Sequence, residues 1–73
     1  MTATIHEHMT TDELLAATAM SKHQALNTPA AELQTLQDQL PALVGLGADA
    51  KKSAVNLNKL INEVKEYRSN YGF

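Results

Sequence analysis

The last third of the chain repeats every seven residues: Ala50, Leu57, Val64 and Tyr71 fall on one line, Ala54, Ile61 and Arg68 on a second. Residues at that spacing share one face of a helix, and a mostly apolar face of this length has to be covered by another helix. The pattern therefore predicts an all-α chain whose work is helix-to-helix contact.

A second seam precedes it. Leu33, Leu36, Leu40 and Leu43 recur at intervals of three, four and three, opened by Thr28-Pro29, where threonine suits a cap and proline suits a first helical position. Pro41 falls inside this seam. Proline in a helix interior removes a hydrogen bond and disfavours helical geometry at the preceding residue, so a bend or short break is expected at Leu40–Pro41, with Leu43 continuing the seam. Gly45-Leu46-Gly47 is the clearest breaker in the chain. It predicts the corner of an antiparallel helical hairpin, about 29–44 and 48–70, packed at roughly +20°. The longer arm should span about 34 Å at ~1.5 Å per residue. Asp49 near its start and Arg68 near its end carry the signs that suit the helix dipole. Gly72 suits the left-handed closing position, returning Phe73 towards Tyr67 or Arg68.

Thr10-Thr11-Asp12-Glu13 reads as a capping box. It predicts an additional N-terminal helix over about 11–26, with Leu14, Leu15, Ala19, Met20 and Leu26 as a modest apolar stripe and Asn27 as terminator. Residues 1–9 are polar and aperiodic and are expected to be a flexible tail, leaving 10–73 as a single small helical domain.

Size sharpens the functional reading. A chain of 73 residues hides only ~60% of the surface its unfolded form exposes, and no cysteine is present to staple it. Such chains often gain the missing burial from a second copy or a partner. No apolar run approaches the ~20 residues of a membrane span, and Met1–Met9 has neither the basic start nor the apolar core of a secretory signal. A cytoplasmic location is the resulting expectation. The net charge of −2 is unevenly placed. Residues 1–44 carry Glu7, Asp12, Glu13, Glu32 and Asp38 against Lys22; residues 45–73 carry Lys51, Lys52, Lys59, Lys65 and Arg68 against Asp49, Glu63 and Glu66. Complementary halves explain that asymmetry, and a nucleic-acid surface is the alternative.

Chemistry-bearing motifs are sparse. His6-Glu7-His8 can present two imidazoles to zinc or copper from an extended backbone, but it lacks a third ligand nearby and the helical spacing of a metalloprotease pair. Asp12, Glu13, Glu32, Asp38 and His23 supply acids and a base, yet rods of this size offer little volume for a dry pocket. Ser21, Ser53 and Ser69 have no nucleophile-elbow context, and Gly45-Leu46-Gly47 lacks the phosphate-loop pattern. No enzyme, metal or cofactor is expected. The basic residues scatter round the polar face of the last helix, interrupted by Glu63 and Glu66, while Asn56, Asn58 and Asn62 suit either a solvated face or polar points beside a seam.

What remains is the end of the longest helix. Tyr67, Arg68, Tyr71 and Phe73, with Leu60 beside the seam, bring together residue types that anchor interfaces. The expectation is a non-enzymatic interaction module, an adaptor, inhibitor or assembly subunit, that binds another protein or a second copy of itself. A small nucleic-acid-binding protein using the basic helix is the alternative.

Overall fold

A computed structural model describes residues 5–71. Five helical segments follow one another: α1 (Thr11–Ala17), α2 (Lys22–Leu26), α3 (Ala30–Gln39), α4 (Pro41–Val44) and α5 (Ala48–Tyr71), with no strand among the described residues. The chain is all-α. α5 has 24 residues, about 36 Å at ~1.5 Å per residue, and so runs the whole 37 Å long axis of the molecule. The other helices lie along it.

The two seams meet as expected. Leu33, Leu36, Leu40 and Leu43 are buried together with Ala54, Leu57, Ile61 and Val64, and Met9, Leu14 and Ala25 complete the core from the N-terminal third. Hydrogen bonds fix the antiparallel register, since Gln34 meets Lys65 while Gln37 meets Asn62 and Asn58. The seam ends differ from its middle: Ala50 and Arg68 are half-buried and Tyr71 is exposed.

Pro41 bends the hairpin arm without ending it. Proline has no N–H to offer Gln37, whose carbonyl instead accepts from Leu40 in a tighter turn at 3.3 Å. Leu40 itself stays helical (φ −57°, ψ −34°), a geometry that a following proline disfavours. Leu40 and Leu43 are both in the core, and burying the pair outweighs the local preference. At the corner only Gly47 takes positive φ (138°), whereas Gly45 is right-handed helical (φ −83°).

The N-terminal third departs from expectation in detail. Instead of one helix over about 11–26 there are two, α1 and α2, separated at 18–21. Thr10 and Glu13 form their capping box, and Ser21 and Gln24 form a second one that starts α2 in a new direction. Turning there lets Leu14 and Ala25 both reach the core, at the cost of leaving Leu15 and Ala19 exposed. Thr28 does not cap α3. Its hydroxyl donates to the Gln24 carbonyl, which also accepts the Asn27 N–H in the closing turn of α2, and Pro29 precedes α3 without a side-chain cap. Residues 5–9, expected to be a tail, lie against the fold: Met9 is buried and Ile5 packs on the core. Gly72 and Phe73 lie outside the described residues, so the closing turn expected there does too.

Candidate interaction surface

The polar flank of the hairpin is closed on itself. Gln37 Nε2 donates to Asn58 Oδ1 (2.7 Å) and Asn62 Oδ1 (2.9 Å), and Lys65 Nζ donates to Gln34 Oε1 and Gln37 Oε1 (both 2.6 Å). Asn58 and Asn62 thus act as polar points beside the seam. Lys65 sits where α3 supplies amide oxygens, not in a basic stripe.

Arg68 is drawn inward as well. One nitrogen of its guanidinium, Nη2, donates to the carbonyls of Ala25 (3.3 Å), Leu26 (3.1 Å) and Thr28. These oxygens lie at and beyond the C-terminal end of α2, where helix carbonyls lack partners and partial negative charge accumulates, so a half-buried cation is stabilised there. A positively charged arm on α5 therefore binds the end of α2.

The residues expected to meet a partner are divided by this arrangement. Leu60 is half-buried and packs on the core. Arg68 faces its own chain. Tyr67 and Tyr71, one turn apart on α5, stack with ring centroids 4.7 Å apart and planes inclined by 36°, a spacing within the range of favourable offset pairs. Tyr71 is 70% exposed and Tyr67 40%. Phe73 lies outside the described residues.

A second apolar surface, unforeseen as a site, lies at the proline bend. Leu40, Pro41, Val44, Ala54 and Val55, with Gln37 and Asn58, line an open groove of about 250 Å³ between α4 and α5. Val44 and Val55 are exposed there, and Leu46 at the corner is exposed too. The sequence signal was available: Pro41 inside an apolar seam implies a bend, and a bend separates helices that would otherwise pack flush.

His6 serves the fold. His6 Nε2 meets Glu13 Oε2 at 3.1 Å while His6 Nδ1 accepts the His8 N–H at 3.2 Å, so both ring nitrogens are engaged. The other Glu13 oxygen accepts the Thr10 N–H at 2.9 Å. That backbone hydrogen bond, then the one from His6, lowers the Glu13 pKa from its ordinary value. Among the described residues no group of three His, Cys, Asp or Glu side chains is placed to hold a metal, and no helix is long and apolar enough to cross a membrane.

Compared with protein families, with curated proteins and with solved structures, the chain matches none.

Proposed function

We propose that this protein is a helical interaction module that works without catalysis, binding another protein or a second copy of itself through side chains its own core leaves uncovered. The observation that carries this reading is the stacked Tyr67–Tyr71 pair near the end of α5. Two large rings held against each other present a rigid surface that loses little side-chain freedom on binding, which is why tyrosine is enriched at interface centres. The groove at Pro41, Val44 and Val55 supplies a second apolar surface towards the opposite end of the same helix.

The nucleic-acid alternative is weakened by what Lys65 and Arg68 touch. Both are engaged with oxygens of their own chain, which leaves Lys51, Lys52 and Lys59 as the exposed cations of α5. Three separated cations make a poor phosphate-tracking surface.

The test is capture of partners on immobilised full-length protein, with light scattering of the free protein at micromolar concentration, for wild type and Tyr71→Ala. Loss of a captured protein or of self-association in Tyr71→Ala, with helicity unchanged by circular dichroism, supports the reading. Identical behaviour of the two proteins overturns the assignment of the tyrosine pair.

A further inference from the structure

The backbone leaves the helical path between α1 and α2 only briefly. Thr18 is still right-handed helical (φ −66°, ψ −14°), and the change of direction is made at Ser21, which is extended (φ −82°, ψ 164°). Thr18-Ala19-Met20-Ser21 contains neither proline nor glycine, so nothing in the covalent chain forbids a helix through it. The break is held by the reciprocal Ser21–Gln24 cap (3.0 and 3.2 Å) and by the packing of Met20 and Ala25 on the core. These interactions select the break over a continuous helix across about 11–26, which the local sequence also accommodates.

Residues 5–17 on the near side of this hinge form a unit. The Thr10–Glu13 capping box and the His6–Glu13 contact bind the N-terminal strap to α1. The unit is attached to the rest of the molecule by two buried side chains, Met9 and Leu14, by partial burial of Ile5 and Ala17, and by Gln39, whose carboxamide spans the turn at residues 7–8. Gln39 Oε1 accepts the Met9 N–H (2.8 Å) and Gln39 Nε2 donates to the His6 carbonyl (2.6 Å).

We propose that residues 5–17 exchange between two copies of this chain, with α1 and α2 fusing into one helix through 18–21 and each strap docking on the Gln39 and the core of the other copy. The chemistry of the occupant is already defined, because the same residues fill the seat within one chain. A second copy satisfies it with the same hydrogen bonds and the same buried side chains. The amides of Ala19, Met20 and Ser21, bonded in the turn to Ala16, Ala17 and Gln24, exchange those partners for regular helical ones, and the amides of Lys22 and His23 at the start of α2 acquire helical partners in the fused helix. The Ser21 cap is the element that opposes fusion, since its side chain bonds the Gln24 amide only while Ser21 is extended. This inference does not depend on the tyrosine pair.

Two variants of the full-length chain push the hinge in opposite directions. Ser21→Ala removes the cap. Lys22→Pro places proline at the first position of α2, where its missing N–H costs nothing in the folded monomer, while in a fused helix it removes the bond to the Thr18 carbonyl and disfavours the helical region at Ser21. Light scattering over a concentration series should show a species of twice the 7.9 kDa chain mass whose association constant rises by roughly tenfold or more in Ser21→Ala, one cap being lost per copy. Lys22→Pro should weaken it by roughly tenfold or more, and in the wild-type chain amide exchange at Lys22 and His23 should slow in the dimer alone. If Ser21→Ala does not fold, wild type against Lys22→Pro at the highest soluble concentration decides. The proposal is overturned if wild type and Ser21→Ala stay monomeric throughout, if Lys22→Pro dimerises as wild type does, or if the dimer keeps fast exchange at Lys22 and His23. A dimer made through Tyr71 is insensitive to Lys22→Pro and lost in Tyr71→Ala, so this reading and the proposed function fail separately.

Discussion

Gln39 Oε1 accepts the backbone N–H of Met9 at 2.8 Å across thirty residues of sequence. The same carboxamide donates to the carbonyls of His6 and of Thr35, so one side chain on α3 ties the N-terminal segment to the hairpin. The amide it satisfies belongs to a buried residue, and removing its partner leaves that group without an acceptor.

Gln39→Ala should therefore lower the stability of the whole chain by about 1–3 kcal/mol, the cost of orphaning a part-buried polar group. Urea unfolding gives the loss. Hydrogen exchange should place it: the Met9 amide exchanges much faster in the variant, while the amides of α5 speed up only in proportion to the loss of global stability.

Arg68→Ala should cost about 1.5–3 kcal/mol, because the interactions removed are charge-assisted hydrogen bonds to carbonyls at the end of α2. For a domain of this size that is a fall in Tm of several degrees for each kcal/mol lost. Arg68→Lys should recover part of it, since a compact ammonium on a flexible stem cannot copy the reach and planarity of a guanidinium. Thermal melts of the three proteins rank wild type above Arg68→Lys above Arg68→Ala; equal melting temperatures would show that the contact contributes nothing.

The two corner glycines should respond differently to alanine. A Cβ meets nothing at either position, but Gly47 has φ +138° and Gly45 does not have positive φ. Gly47→Ala should destabilise by about 1–3 kcal/mol through backbone strain alone. Gly45→Ala should be neutral or stabilising by about 0.4–1 kcal/mol, since it restricts the unfolded chain without straining the folded one. Denaturant midpoints measured side by side check the contrast.

Acid should act through Glu13. Its pKa is lowered in the folded state, so the stabilisation it provides is present above the unfolded carboxyl value of 4.5 and disappears as the pH falls through the lower folded value. In a pH series below 5, Glu13→Gln should show a flatter loss of stability than wild type, and the two curves should converge at the acid end. Parallel curves would mean that the Thr10 and His6 contacts do not bias the carboxylate.

Much of the hairpin was legible in the residues because its information is local and periodic. Leu33, Leu36, Leu40 and Leu43 repeat on one helix face and Leu57, Ile61 and Val64 on another, and Gly45-Leu46-Gly47 can hardly continue a helix. Pro41 likewise announces a bend through its missing N–H. The candidate surface was half legible. Tyr67 and Tyr71 are four apart and must share a face, but nothing near Arg68 in sequence reveals that α2 ends beside it, forty residues earlier along the chain.

The Ser21–Gln24 spacing fits a capping box, yet so does an uninterrupted helix through the same residues; both states are locally acceptable. By itself the sequence determined the helical class, the hairpin corner and the bend, because each follows from dihedral freedom and side-chain period within a few residues. The tertiary structure alone decided that the first helix breaks at Ser21, that Gln39 holds residues 5–9, and that Arg68 turns inward. Each of those outcomes depends on which distant donor finds which unpaired backbone group once the two seams have closed on each other.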